Sequence, residues 1–158
     1  MFKIFKGKKK ELVSPAKGQI IPMDQVEDEV FAAKMMGDGF AVIPEEGVIV
    51  SPCNGVVVNV FKTKHAVIIR DEFGLELIIH VGLDTVKLKG QGFDVKVTEN
   101  QQVKKGDLLL NVDLALLETH KLSPVTPVVI TNMNLIKSLE VIEGQAASGD
   151  VALTFETK

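Results

Sequence analysis

The segment Val13-Ser-Pro-Ala-Lys-Gly-Gln-Ile-Ile21 returns as Val50-Ser-Pro-Cys-Asn-Gly-Val-Val-Val58, matching at valine, serine, proline and glycine ahead of an apolar run. In each copy Ser-Pro opens a turn, the glycine permits positive φ, and the run that follows reads as a strand. Gly90-Gln-Gly92, Lys105-Gly-Asp107 and Ser123-Pro124 to Pro127 separate further short apolar runs. Regular turns between short strands predict an all-β fold, an antiparallel sandwich or barrel with a partial internal repeat. Helix signals are confined to Met23–Glu29 and Asp113–Lys121, where Asp113 caps a turn ahead of Leu114, Leu116 and Leu117. A chain of 158 residues suits one domain with its own core. Residues 1–11 read as a basic, flexible tail and residues 12–158 as the domain.

Charge divides the chain in the same place. Residues 2–10 hold five lysines and no acid, which leaves thirteen basic against twenty-one acidic residues in the remainder. An acidic body without Trp or Tyr lacks the field and most of the stacking groups that nucleic-acid binding needs, so that class is excluded. Such a body attracts a basic protein partner instead. Phe2, Ile4 and Phe5 among the lysines allow residues 1–10 a weak contact with an anionic membrane surface, against the alternative of a solvated tail. The single cysteine, Cys53, excludes an internal disulfide and reads as a small buried side chain. No apolar run approaches the ~20 residues of a membrane span, and no signal-peptide run opens the chain, so a cytoplasmic location is expected.

Two of the three histidines flank a hairpin, His65-Ala-Val-Ile-Ile-Arg-Asp-Glu-Phe-Gly-Leu-Glu-Leu-Ile-Ile-His80. If Asp71–Gly74 form the turn, Arg70 pairs with Leu75 and His65 stands directly opposite His80, with Cβ atoms about 4.5–5.5 Å apart. An odd loop would shift the register and move one imidazole to the other face. In the even register Val67, Ile69, Glu76 and Ile78 share the histidine face, while Ala66, Ile68, Leu75, Leu77 and Ile79 form the core face. A facing imidazole pair in apolar surroundings has the composition of a docking patch around a reactive centre. Neutral imidazole is a nucleophile near its pKa of about 6.5.

The flanks make the pair specific. Val30-Phe-Ala-Ala-Lys-Met-Met-Gly-Asp-Gly-Phe40, Phe61-Lys-Thr-Lys-His65, Ile78-Ile-His80-Val-Gly-Leu-Asp-Thr-Val86 and Lys89-Gly-Gln-Gly-Phe93 stand in that order along the chain. On these motifs the sequence resembles the glucose-type enzyme IIA component (EIIA) of the bacterial phosphoenolpyruvate-dependent sugar phosphotransferase system, from about Val13 to the C-terminal strands. The resemblance implies a β-sandwich of the duplicated hybrid motif type. It further implies a monomeric phosphocarrier whose His80 takes a phosphoryl group on Nε2 from phosphorylated HPr and passes it to the IIB domain of a sugar permease. His65 would stabilise the phosphoryl group, with Thr63 orienting it, and would be needed for onward transfer rather than for acceptance. Val30, Phe31, Met36, Phe61 and Ile78 match the family's apolar interface positions, and Asp28 and Asp84 match acidic ones facing HPr. Metabolic enzymes or permeases can be regulatory partners of the same face.

Members of the family can also hold zinc between the two histidines, completed by a partner's carboxylate. No cofactor is required, and two imidazoles alone predict weak binding of the metal. Lys87 and Arg70 stand where some relatives carry acids, and Ile78 where phenylalanine is usual, which bears on partner preference. His120 reads as a helix-end cation without a catalytic role. Two other readings fit less well. Lys34 within Ala33-Lys-Met35 resembles the modified lysine of biotin or lipoate carriers, but the methionine before it is missing. A zinc peptidase would need a His-x-His element that the chain lacks.

Overall fold

The computed structural model describes residues 9–158. Most of the expected basic tail and its membrane contact therefore lie outside the described residues, and Lys10 and Glu11, expected within the tail, already pair as strand. Fourteen strands are described: β1 (Lys10–Val13), β2 (Gly18–Pro22), β3 (Asp38–Pro44), β4 (Val48–Val50), β5 (Gly55–Val60), β6 (Ala66–Asp71), β7 (Glu76–His80), β8 (Phe93–Val95), β9 (Gln102–Val103), β10 (Leu108–Val112), β11 (Thr126–Ile130), β12 (Ile136–Val141), β13 (Gly144–Ala146) and β14 (Val151–Thr157). Helix is limited to α1 (Glu29–Ala32), α2 (Leu114–Thr119) and short 3-10 turns, one of them at Met23–Gln25 and another at Thr85–Leu88. Asp113 caps α2 as expected, accepting from Leu116 N–H at 3.1 Å. Among the described residues no helix is long and apolar enough to cross a membrane.

The sheets carry the internal repeat into three dimensions. An eight-stranded sheet runs β13-β2-β3-β11-β7-β6-β5-β9, beside two three-stranded sheets, β1-β14-β12 and β4-β10-β8. β2 and β5, which begin at the two repeat glycines Gly18 and Gly55, each lie second from an end of this order. Val13 N–H donates to Pro52 O at 2.9 Å and Val50 N–H to Pro15 O at 2.7 Å, so the two copies clasp each other reciprocally. In both, the serine hydroxyl donates two residues ahead, Ser14 to Ala16 O and Ser51 to Cys53 O. The glycines serve close approach rather than the expected positive φ: neither has it. A Cβ would lie 2.0 Å from Ile43 O at Gly18 and 2.2 Å from Arg70 O at Gly55, inside any tolerable contact.

One core draws on all three sheets, joining Leu12, Leu153 and Phe155 to Ile49 and Leu110 and to Val57, Ile69 and Leu77. A smaller cluster, Met23, Val26, Phe31, Ala41, Leu83 and Val129, seats α1 against the large sheet beside the end of β7.

The hairpin register differs from the even-loop expectation by one residue. Ala66, not His65, pairs with His80, and the ladder runs through Ile68↔Ile78 to Arg70↔Glu76. Asp71 N–H donates to Leu75 O at 2.8 Å, so three residues form the loop. The Asp71 carboxylate holds it by accepting from Phe73 N–H and Leu75 N–H, both at 2.8 Å. The β6 residues of the main core are accordingly Val67 and Ile69, both fully buried, while Ile68 is only half-buried; Ala66, Leu75, Leu77 and Ile79 are fully buried as expected. Slipping β6 back into the expected register would expose Val67 and Ile69, at about 1.5–3 kcal/mol each.

Candidate functional site

The histidines nevertheless meet. Their ring centroids lie 4.8 Å apart with the planes at 81°. His80 ends β7, while His65 precedes β6 in a turn where Lys64 takes φ 64°. There Phe61 N–H donates to Ala66 O at 3.0 Å. His65 is thus outside the pleat whose alternation would have turned it away, and its backbone stays beside His80 because Val81 N–H donates to His65 O at 2.7 Å.

Each ring is held at Nδ1. His80 Nδ1 lies 2.7 Å from the Gly82 carbonyl oxygen. A carbonyl only accepts, so Nδ1 carries the proton and a neutral His80 keeps its lone pair on Nε2. His65 Nδ1 lies 2.7 Å from Thr63 Oγ1. Phe31 packs edge-on against His80 at 5.1 Å and Phe61 against His65 at 5.5 Å between centroids.

Burial keeps both rings neutral. It pushes His65, only 3% exposed, down to about 4, and a charge on nearby His80 would add to that shift. It lowers His80 also, against the opposing pull of the Gly82 hydrogen bond and of Asp28 and Asp84. At neutral pH the pair therefore presents an uncharged nucleophilic nitrogen.

Asp28, Val30, Phe31, Met36, Phe61, Ile78 and His80 line a cavity of about 330 Å³. The structure thus brings together six of the seven residues expected at the partner interface, all but Asp84. That residue lies outside the lining, at φ 59° just before the 3-10 turn Thr85–Leu88, though its charge still acts on His80. Asp28 has a task the sequence reading missed: it caps α1, accepting from Val30 N–H at 2.9 Å and Phe31 N–H at 3.4 Å. Met35, in the segment after α1, is 73% exposed but is not among the residues that line the cavity. The Gly82 carbonyl was also missed, because a backbone oxygen has no signature beyond the His-x-Gly spacing.

Other groups stand apart from this centre. A larger hollow of about 900 Å³ lies at the hairpin tip, among Asn54, Arg70, Glu72 and Lys104, and contains neither histidine. Burial pushes the Cys53 thiol up to about 12, as suits a packing residue. Lys34 pairs with Asp38 at 3.4 Å, and His120 bonds the Leu116 carbonyl at the end of α2. For zinc the pair supplies two nitrogens, and among the described residues no group of three or more His, Cys, Asp or Glu side chains is placed to hold a metal.

Residues 10–136 match the family model described as phosphoenolpyruvate-dependent sugar phosphotransferase system, EIIA 1. A PTS system glucose-specific EIIA component of Bacillus cereus is 46% identical over 143 residues, covering 90% of this chain and 87% of the relative. A glucose-specific EIICBA component of Staphylococcus carnosus is 46% identical over 138 residues, which are 87% of this chain but 20% of that longer protein. The solved structure of glucose permease IIA from Mycoplasma capricolum superposes with a TM-score of 0.88 at 41% identity, covering 95% of this chain and 97% of that one.

Proposed function

The chain belongs to the EIIA 1 family of the phosphoenolpyruvate-dependent sugar phosphotransferase system, and from that premise we propose that its two facing histidines are the phosphoryl-carrying centre. It is a glucose-type EIIA component, a phosphocarrier that passes phosphate to a IIB domain. His80 Nε2 attacks the phosphorus of the phosphohistidine on HPr, the new P–N bond forming as the bond to the HPr imidazole breaks. The observation that carries this reading is the 2.7 Å bond from His80 Nδ1 to Gly82 O, which leaves Nε2 unprotonated at the cavity. In the reverse sense the phosphoryl group leaves Nε2 for the IIB domain.

Phosphoryl transfer of this kind passes through a loose, charge-spread transition state, so positioning and electrostatics supply the catalysis. Thr63 Oγ1 lies 2.7 Å from His65 Nδ1; with the hydroxyl as donor in this contact, His65 Nε2 carries the proton offered to a phosphoryl oxygen. A preorganised donor of that kind is worth roughly 10²–10³ in rate. Phe31, Phe61, Val30, Met36 and Ile78 receive the partner and exclude water from the phosphoramidate, and Asp28 and Asp84 face the basic surface of HPr. The imidazole does the chemistry itself, without a cofactor. The carrier works as a cytoplasmic monomer that hands its phosphoryl group to a sugar permease.

The test is reconstitution with enzyme I, HPr, phosphoenolpyruvate and an isolated glucose-type IIB domain. Stoichiometric, acid-labile phosphorylation that is chased onto IIB is expected. A chain that takes the group but cannot release it to IIB, or never takes it, would contradict the assignment.

A further inference from the structure

The tautomer of His80 depends on one carbonyl, and the turn that carries it is braced by a residue that makes no hydrogen bond to either imidazole. A free imidazole keeps its proton mainly on Nε2, so the opposite tautomer has to be imposed by an acceptor fixed beside Nδ1. Gly82 provides it from φ 80°, a conformation that no element of regular structure maintains. Thr85, fully buried, reaches back to this turn in two ways. Its hydroxyl donates to Val81 O at 2.6 Å. Its methyl fills the space that a side chain on Gly82 would need, with Cγ2 2.5 Å from the site of a Cβ there. Val81 meanwhile donates to His65 O, and Leu83 N–H donates to Ser123 O at 3.0 Å. The peptide between Gly82 and Leu83 is therefore clamped on both sides, with Thr85 holding the side nearer His80.

We propose that Thr85 is a positioning residue for phosphoryl acceptance: by fixing the Val81–Gly82 turn it keeps the His80 proton on Nδ1 and the lone pair on Nε2. This rests on His80 being the nucleophile, yet its first consequence is visible in the unphosphorylated chain. Thr85→Val keeps the shape and deletes the hydroxyl, Thr85→Ser keeps the hydroxyl and deletes the methyl, and Thr85→Ala repeats the deletion should valine not fold.

Two-bond proton–nitrogen correlation spectra of ¹⁵N-labelled protein report the His80 tautomer directly, with no phosphoryl donor present. Wild type and Thr85→Ser are expected to show the Nδ1–H form alone. The hydroxyl-deleted variants are expected to show a mixture, with phosphorylation by phospho-HPr slowed about five-fold, the effect of one lost hydrogen bond. A wild-type tautomer spectrum in the hydroxyl-deleted variants overturns the proposal, whatever their rate. So does an Nε2–H population in Thr85→Ser equal to theirs. A normal tautomer shift in a chain that HPr cannot phosphorylate would sink the carrier reading and leave the role of Thr85 in the turn standing.

Discussion

His80 and Gly82 are joined by a hydrogen bond of 2.7 Å between a ring nitrogen and a backbone oxygen, and that bond decides which nitrogen of the ring is free to react. A side chain at Gly82 is strained: its φ is 80°, and an added Cβ would lie 2.5 Å from Thr85 Cγ2 and 2.9 Å from Ser123 O. Gly82→Ala is expected to cost about 1–3 kcal/mol of stability and to slow phosphorylation of His80. Chemical denaturation alongside a quench-flow phosphorylation assay measures both, and an alanine variant with wild-type stability and rate would remove the turn from the mechanism.

His65 should matter more for giving than for taking. His65→Gln is expected to become phosphorylated by phospho-HPr and to transfer onward to IIB roughly 10²–10³ times more slowly, the range for losing one preorganised donor. Single-turnover transfer from the purified phosphoprotein separates the two steps. Loss of acceptance with onward transfer intact would reverse the assignment of the two rings.

Acid should weaken the fold through His65. The folded state holds this ring neutral down to about pH 4, against 6.5 for a free histidine side chain, so between those values the unfolded chain binds more protons. Above pH 6.5 the ring costs nothing; as the pH falls to 4 stability is lost, by about 3 kcal/mol. Denaturant titrations across that window should show a steeper loss for wild type than for His65→Gln. Identical slopes would mean that His65 is not held neutral. His80, lowered in the same sense, predicts an acceptance rate that stays flat through neutrality and falls only on the acid side of the ordinary histidine pKa.

The two tasks of Asp28 can be separated by substitution. Asp28→Ala removes both the α1 cap and the charge, and should cost about 1 kcal/mol while loosening Phe31 from His80. Asp28→Asn keeps a capping oxygen and removes only the charge. It should retain stability yet bind HPr more weakly, the difference from wild type shrinking at high salt. If the asparagine variant matched wild type at low salt, the carboxylate would be a cap and nothing more.

The sequence foretold the architecture because its signals are local. Ser-Pro-x-x-Gly ahead of a β-branched run appears twice, and both copies begin equivalent strands of the large sheet. Register was harder to foretell, since it turned on whether Asp71 or Arg70 closes the hairpin. The deciding interaction, one carboxylate bonding two backbone amides within its own turn, competes with a plain four-residue turn by an amount the composition does not reveal. The histidines were expected together for a reason that does not hold. They meet because Lys64 and its turn release His65 from strand alternation, not because the two are cross-strand partners. The apolar and acidic surround came from family motifs, and six of those residues do line one cavity. Asp28 as a cap, Gly82 as a carbonyl and Thr85 as a brace depend on backbone geometry, which residue identity specifies only after the chain has folded.

The most direct measurement is intact-mass analysis with peptide mapping after incubation with enzyme I, HPr and phosphoenolpyruvate, comparing wild type with His80→Ala. One acid-labile phosphoryl group on the wild-type peptide containing His80, absent from the variant, is the expected result. A phosphoryl group that persists in His80→Ala, or that maps to His65, would contradict the assignment of the nucleophile.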